Sequence, residues 1–133
     1  MTTNHLCLPE VLIVEDDIAT VTILQIWLRG LFCPTVVLDG DAALRLLDEW
    51  NKSGQLFDLF LMDINLPYPW SGLTLKENIL KTFPAYRKTP FIAETAYAMP
   101  HDQERIMNAG FAAYLPKPLD RILMVETLQN FIR

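Results

Sequence analysis

Long apolar runs are missing from this chain, and none approaches the ~20 consecutive residues that a membrane-spanning helix requires. The opening MTTNHLCLPE lacks the basic segment followed by an apolar one that marks a secretory signal. These two absences predict a cytoplasmic location and no membrane partner. Cysteine is scarce. Cys7 and Cys33 are the only two, and their spacing forms neither a disulfide framework nor a metal cluster. Cys33 opens an apolar, strand-like run, so it is expected to be a small buried side chain. Clustered basic charge is absent as well: 11 Lys and Arg lie scattered among 16 Asp and Glu, for a net charge of −5. Nucleic-acid binding relies on grouped cations that displace counterions from phosphates, so no direct nucleic-acid partner is expected.

Repeats, low-complexity tracts and linkers are missing too, and 133 residues fit a single domain that buries a core without cross-links. What is present is an alternation of two patterns. Short apolar runs occur at Val11–Val14, Thr35–Leu38, Leu59–Met62, Phe91–Ala93 and Ala112–Leu115. Between them, apolar residues recur at helical spacing: Val21, Leu24, Leu28 and Leu31, then Ala43, Leu46, Leu47 and Trp50, then Ile79, Leu80 and Phe83. Ile122, Val125, Leu128 and Ile132 mark a last helix. The stretch from His101 to Ala109 is helix-like, with Ile106 and Met107 its only large apolar residues. It therefore has the weakest hold on a core. Five strand-then-helix units of this kind predict an α/β fold with a parallel sheet covered on both faces. A closed barrel needs ~250 residues, so an open doubly wound sheet is expected, with ligands beyond the carboxyl ends of its strands.

Carboxylates stand where that rule points. Glu15, Asp16 and Asp17 follow the first strand, and Asp63 follows the third. Acidic residues are depleted within strands, and gathering them at one sheet edge is costly without a cation. An oxygen-only ligand set suits a hard ion such as Mg²⁺. Asp17 alone, just before IATVTIL, reads better as a helix cap. Thr95 ends the fourth strand, Lys117 follows the fifth, and Asn65 lies just past Asp63. A carboxylate nucleophile, a cation site, a hydroxyl and an ammonium together suit phosphoryl transfer. His101 follows Pro100 at a helix start and is expected to be a solvated side chain.

In this order and spacing, VLIVEDD, LFLMDINLP, ETAYAM and YLPKP resemble the signature segments of response-regulator receiver domains, over nearly the whole chain from Val11. The ETAYAM to AGFAAYLPKP stretch is similar to receivers attached to, or partnered with, hybrid histidine kinases. The resemblance implies a flavodoxin-like (βα)5 domain with strand order 2-1-3-4-5, residues 1–10 forming a leader and 11–133 the core. It implies a two-component or phosphorelay switch that takes a phosphoryl group from the phosphohistidine of a kinase or histidine phosphotransfer protein. Asp63 would be the acceptor, Asp16 and Asp63 direct ligands of Mg²⁺, Glu15 a ligand through water, and Asn65 a ligand through its backbone carbonyl. Thr95 and Lys117 would bond the phosphoryl oxygens, and Pro118 would follow a cis peptide bond. Tyr114 matches the aromatic that turns inward on activation, although a strand tyrosine with a wet hydroxyl fits it equally well. The only catalysis implied is the chain's own phosphorylation and slow dephosphorylation. Output would pass through the face formed by the fourth helix, fifth strand and fifth helix, and a homodimer is compatible with that role.

Three departures from the family pattern stand out. The loop INLPYPWSG delays its glycine by one residue, to Gly72, and carries Tyr68 and Trp70, which either cap the core or offer an anchor to a partner. Glu94 stands where the family has an apolar residue, and it needs either a cation or an open strand end. Tyr97, together with Asn65, occupies a position that tunes phosphoryl lifetime in the family; its bulk implies slow self-dephosphorylation.

Rival readings fit less well. An aspartyl-phosphate hydrolase resembling the haloacid dehalogenases would carry its DxD motif after the first strand, and here Asp63-Ile64-Asn65 follows the third. A flavodoxin-like cofactor binder would need a Ser/Thr/Gly-rich loop where Glu15-Asp16-Asp17 stands, and that acidic run would repel phosphate. A degenerate receiver acting only through protein contacts is the remaining alternative. The sequence stops at Arg133 just after its last helix, and its initiating Met favours a stand-alone receiver over an excised domain.

Overall fold

Strands form where apolar runs leave no face for water. β1 (Glu10–Val14), β3 (Leu59–Asp63) and β4 (Phe91–Thr95) are buried along nearly their whole length, while β2 (Cys33–Val37) and β5 (Ala113–Pro116) are less covered. All pairings are parallel, in the order β2-β1-β3-β4-β5. The structure is a computed structural model and describes residues 7–96 and 99–132. Alternating with the strands are α1 (Ile18–Leu28), α2 (Gly40–Lys52), α3 (Gly72–Thr82), α4 (Pro100–Asn108) and α5 (Arg121–Asn130). This is the expected doubly wound, flavodoxin-like architecture.

Helix starts follow from local chemistry. Asp17, Asp39 and Asp120 each accept a backbone N–H of the first turn of α1, α2 and α5, and Ser71 forms a reciprocal capping box with Thr74 at α3. Asp17 is thus a cap, as its sequence context indicates. Among the described residues α4 begins without a side-chain cap, and Pro100 occupies its first turn.

Side chains alternate across the sheet, so each strand feeds two cores. Leu12, Val14, Phe60, Met62, Phe91 and Ala93 meet α2, α3 and α4 on one face. Val11, Ile13, Leu59, Leu61, Ile92 and Leu115 meet α1 and α5 on the other, through Leu24, Leu28, Met124 and Leu128. Each fully buried leucine contributes roughly 2 kcal/mol. Phe60 stacks on Phe91 at 4.2 Å, and Tyr86 accepts the Phe57 N–H at 3.2 Å. Among the described residues, no helix is long and apolar enough to cross a membrane.

Three sequence expectations are corrected. Cys33 is exposed, because β2 lies at the sheet edge and Cys33 is its first residue. Leu31 is exposed because α1 already ends at Leu28 and the chain turns through Gly30. Ile122 points outward, and α5 is anchored through Met124 and Leu128. The thin anchoring of α4 is present as expected, with Ile106 its one buried residue.

Candidate functional site

The parallel order brings the carboxyl ends of β1, β3, β4 and β5 to one edge, and the acidic residues follow from where these strands stop. Asp63 is the last residue of β3 and is 3% exposed. The backbone of the next residue is bonded on both sides: Ile64 N–H donates to Glu94 O at 3.0 Å, and Gly72 N–H to Ile64 O at 2.9 Å. Asp63 Oδ1 accepts Asn65 N–H at 2.9 Å, and Oδ2 accepts from Lys117 Nζ at 3.2 Å. Glu15, fully buried after β1, accepts Asp17 N–H at 3.0 Å through Oε2 and places Oε1 3.1 Å from the same ammonium. Carboxylate oxygens of Glu15, Asp16 and Asp63 lie within 4.8 Å of one another, with Asp16 open to solvent. Lys117 is itself fixed to β4, its N–H donating to Thr95 O at 2.8 Å.

Electrostatics sharpen the picture. Burial pushes the Asp63 carboxyl up to about 6; the Glu15 charge adds to the rise, while Asn65 N–H and Lys117 oppose it. For Lys117 burial disfavours the charge, but Asp63 and Glu15 outweigh it and the ammonium is held above its usual range. Glu94 pairs with Asp63 in the strand register, is 0% exposed, and lies 4.0 Å from the ammonium, too far for a hydrogen bond. Burial first, then its hydrogen bond with Glu15 and the Glu15 charge, push Glu94 well up. Glu15 Oε1 is met by the Lys117 ammonium at 3.1 Å, whereas that ammonium is 4.0 Å from Glu94 Oε1. Burial beside Glu15 and Asp63 thus disfavours the charged form of the Glu94 carboxyl. Of the two ways the sequence left open for Glu94, the strand end is closed, and the cation is Lys117 at 4.0 Å.

The remaining sequence-derived site residues divide. Thr95 is 1% exposed at the end of β4, and Asn65 is exposed beside Asp63. Tyr114 pairs with Ala93 in register and is half-buried against the α2–α3–α4 core. The Lys117–Pro118 peptide bond is cis. Tyr97 lies outside the described residues. In the long β3–α3 loop, the two aromatics differ: Trp70 packs over Gly40 and donates to Asp41 Oδ1 at 2.9 Å, whereas Tyr68 is 96% exposed. Sequence reading missed Lys76, a lysine in α3 that is only 7% exposed. Its place between Leu73 and Leu80, at helical spacing on the inward face, was the available signal.

The sequence profile of the response regulator receiver domain matches residues 11–129. The polar-differentiation response regulator DivK of Brucella ovis is 43% identical over 75 residues, 56% of this chain and 59% of the relative's length. The chain thus aligns with well under two thirds of that relative. The receiver domain of a sensor histidine kinase from Pseudomonas aeruginosa PAO1, solved with a magnesium ion coordinated in its active site cleft, is 33% identical, with a TM-score of 0.79 over 94% of this chain and 98% of that one. Chemotaxis response regulator CheY4 of Vibrio cholerae shares the fold, with a TM-score of 0.79 at 23% identity over 94% of this chain and 99% of that one. With the strand order, the acidic edge and a profile match over nearly its full length all in agreement, this chain belongs to the response regulator receiver domain family, the signalling modules of two-component systems.

Proposed function

We propose that the chain is a phosphorylation switch in which Asp63 accepts a phosphoryl group from a phosphohistidine. One observation carries the reading: Asp63 Oδ2 lies 3.2 Å from Lys117 Nζ, within a group whose other carboxylates, Glu15 and Asp16, follow β1. Nucleophile, cation site and ammonium thereby share one edge. The ionised Asp63 oxygen attacks phosphorus, and the N–P bond breaks with its electron pair returning to the donor imidazole. Lys117 and the Thr95 hydroxyl then bond the phosphoryl oxygens.

The oxygen-only donor set fits Mg²⁺. Asp16 and Asp63 would hold it directly, Glu15 through water and Asn65 through its backbone carbonyl; the magnesium in the Pseudomonas receiver supports this reading. Bound there, the cation supplies neutralising charge for the phosphoryl oxygens. Receiver domains work with histidine kinases and downstream targets. Here the donor is a kinase or histidine phosphotransfer protein, and the target meets the α4–β5–α5 face once Thr95 and Tyr114 rearrange. Only stronger bonding of the phosphoryl group in one of two states can drive that change. In this reading the switch acts in the cytoplasm.

Intact-mass analysis after incubation with acetyl phosphate tests this. A phosphoryl adduct that requires Mg²⁺ and is absent in Asp63→Asn is the expected result; no adduct and no Mg²⁺ binding would leave a protein-contact module. A time course on the same adduct tests Tyr97, whose bulk would obstruct the attacking water. Tyr97→Glu is expected to lose phosphate faster than wild type, and an equal or slower loss would reject that role.

A further inference from the structure

Lys76 stands apart from the acidic edge, yet it is among the few buried charged residues of the fold. Its ammonium donates to Ala109 O at 3.1 Å and lies 5.2 Å and 5.7 Å from the ring centres of Phe91 and Phe111. Ala109 is the C-cap of α4, so the bond meets one of the carbonyls that a helix end leaves without an internal partner. A cation there also complements the negative end of the helix dipole, and the two ring faces replace part of the hydration that burial removes. Gly110 adopts φ +92°, and a Cβ on it would sit 3.0 Å from the ammonium, so the turn leaving α4 is shaped around Lys76. The other end of α4 lacks such a buried clasp, although Asp102 in its first turn complements the dipole there. Met99 caps it without a side-chain bond and is 61% exposed, and Ile106, in the C-terminal half, is the helix's single buried side chain.

We propose that Lys76 is a clasp that fixes the C-terminal end of α4, making that end the pivot about which the helix moves. The N-terminal end, next to Thr95 along the chain, is then the part that moves in response. The second half of this statement rests on the reading of Asp63 as phosphoacceptor; the clasp itself does not.

Hydrogen exchange on the full chain, followed by mass spectrometry of its peptides, separates the two. In the unphosphorylated protein, Lys76→Met should speed exchange over residues 104–111 roughly tenfold or more, with β1 and β3 unchanged. Phe111→Leu, which keeps the ammonium but removes one ring, should raise it less and serves if Lys76→Met does not fold. After acetyl phosphate treatment, with the adduct verified by intact mass, residues 100–103 should change rate by about threefold or more while residues 104–111 do not. Unaltered exchange over 104–111 in both variants, or acceleration spread equally over β1 and β3, overturns the clasp. With the adduct present, equal change at both ends of α4 overturns the pivot. Failure to form the adduct counts against the Asp63 reading and leaves the variant comparison standing.

Discussion

Asp63 shows how much a single side chain can be set against its own fold. Its carboxyl is raised from 3.8 to about 6, chiefly by burial. A folded-state value above the unfolded one means that the folded protein holds the proton more tightly. The penalty of ionising Asp63 is therefore absent below the unfolded value, grows through the interval, and is complete above about 6. Removing that charge should stabilise the domain only where the penalty exists. Asp63→Asn is expected to melt roughly 3 °C or more above wild type near neutral pH, with the gain shrinking as the pH falls through the interval to about 4. Melting curves of both proteins across that range check this. A gain that is constant with pH, or a loss at neutral pH, would show that Lys117 already offsets the burial of the charge. Glu94 obeys the same physics: buried in the strand and beside Glu15, its carboxyl is pushed well above the usual carboxylate range.

At the level of elements, the β3–α3 loop decides how Asp63 is presented. A Cβ on Gly72 would lie 2.6 Å from Asp63 O and 2.9 Å from Ile64 Cα, both backbone atoms that cannot give way cheaply. Gly72→Ala is therefore expected to destabilise the domain by about 1–3 kcal/mol and to slow adduct formation at Asp63, because the acceptor's own carbonyl must shift. Chemical denaturation and the acetyl phosphate assay read the two effects; a variant indistinguishable from wild type in both would mean that the loop relaxes freely. The late glycine was visible in the sequence as a departure, and the reason for it, a backbone crossing under Asp63, was not. The same division runs through the chain. Apolar runs announced the five strands, and acidic residues at their ends announced the site, because both signals are local. Cys33 was misjudged because periodicity does not distinguish an edge strand from a central one. Lys76 and the pairing of Glu94 with Glu15 were missed because each joins residues far apart in sequence, and only the folded sheet and its helices bring them together.

For the molecule as a whole, the notable charge feature is a group of carboxylates at one edge of the sheet. The chain carries a net charge of −5, and Glu15, Asp16, Asp63 and Glu94 share the carboxyl edge of the sheet with Lys117 as the ammonium between them. Even leaving Glu94 aside, the remaining carboxylates exceed what one cation balances, so the folded state should gain from a divalent ion and the unfolded chain should gain little. A ligand bound only by the folded form adds about 2.7 kcal/mol at a hundredfold excess over its dissociation constant, which for a domain of this size raises the melting temperature by roughly 10 °C. Saturating Mg²⁺ should produce such a rise at neutral pH, and sodium chloride of matched ionic strength should produce far less, since screening is not coordination. Asp16→Asn removes an exposed carboxylate that holds no core contact, so it should fold normally and lose most of the Mg²⁺-dependent rise. If wild type and Asp16→Asn respond to Mg²⁺ alike, the acidic edge is a screened cluster of charges and the cation site assigned to it is wrong.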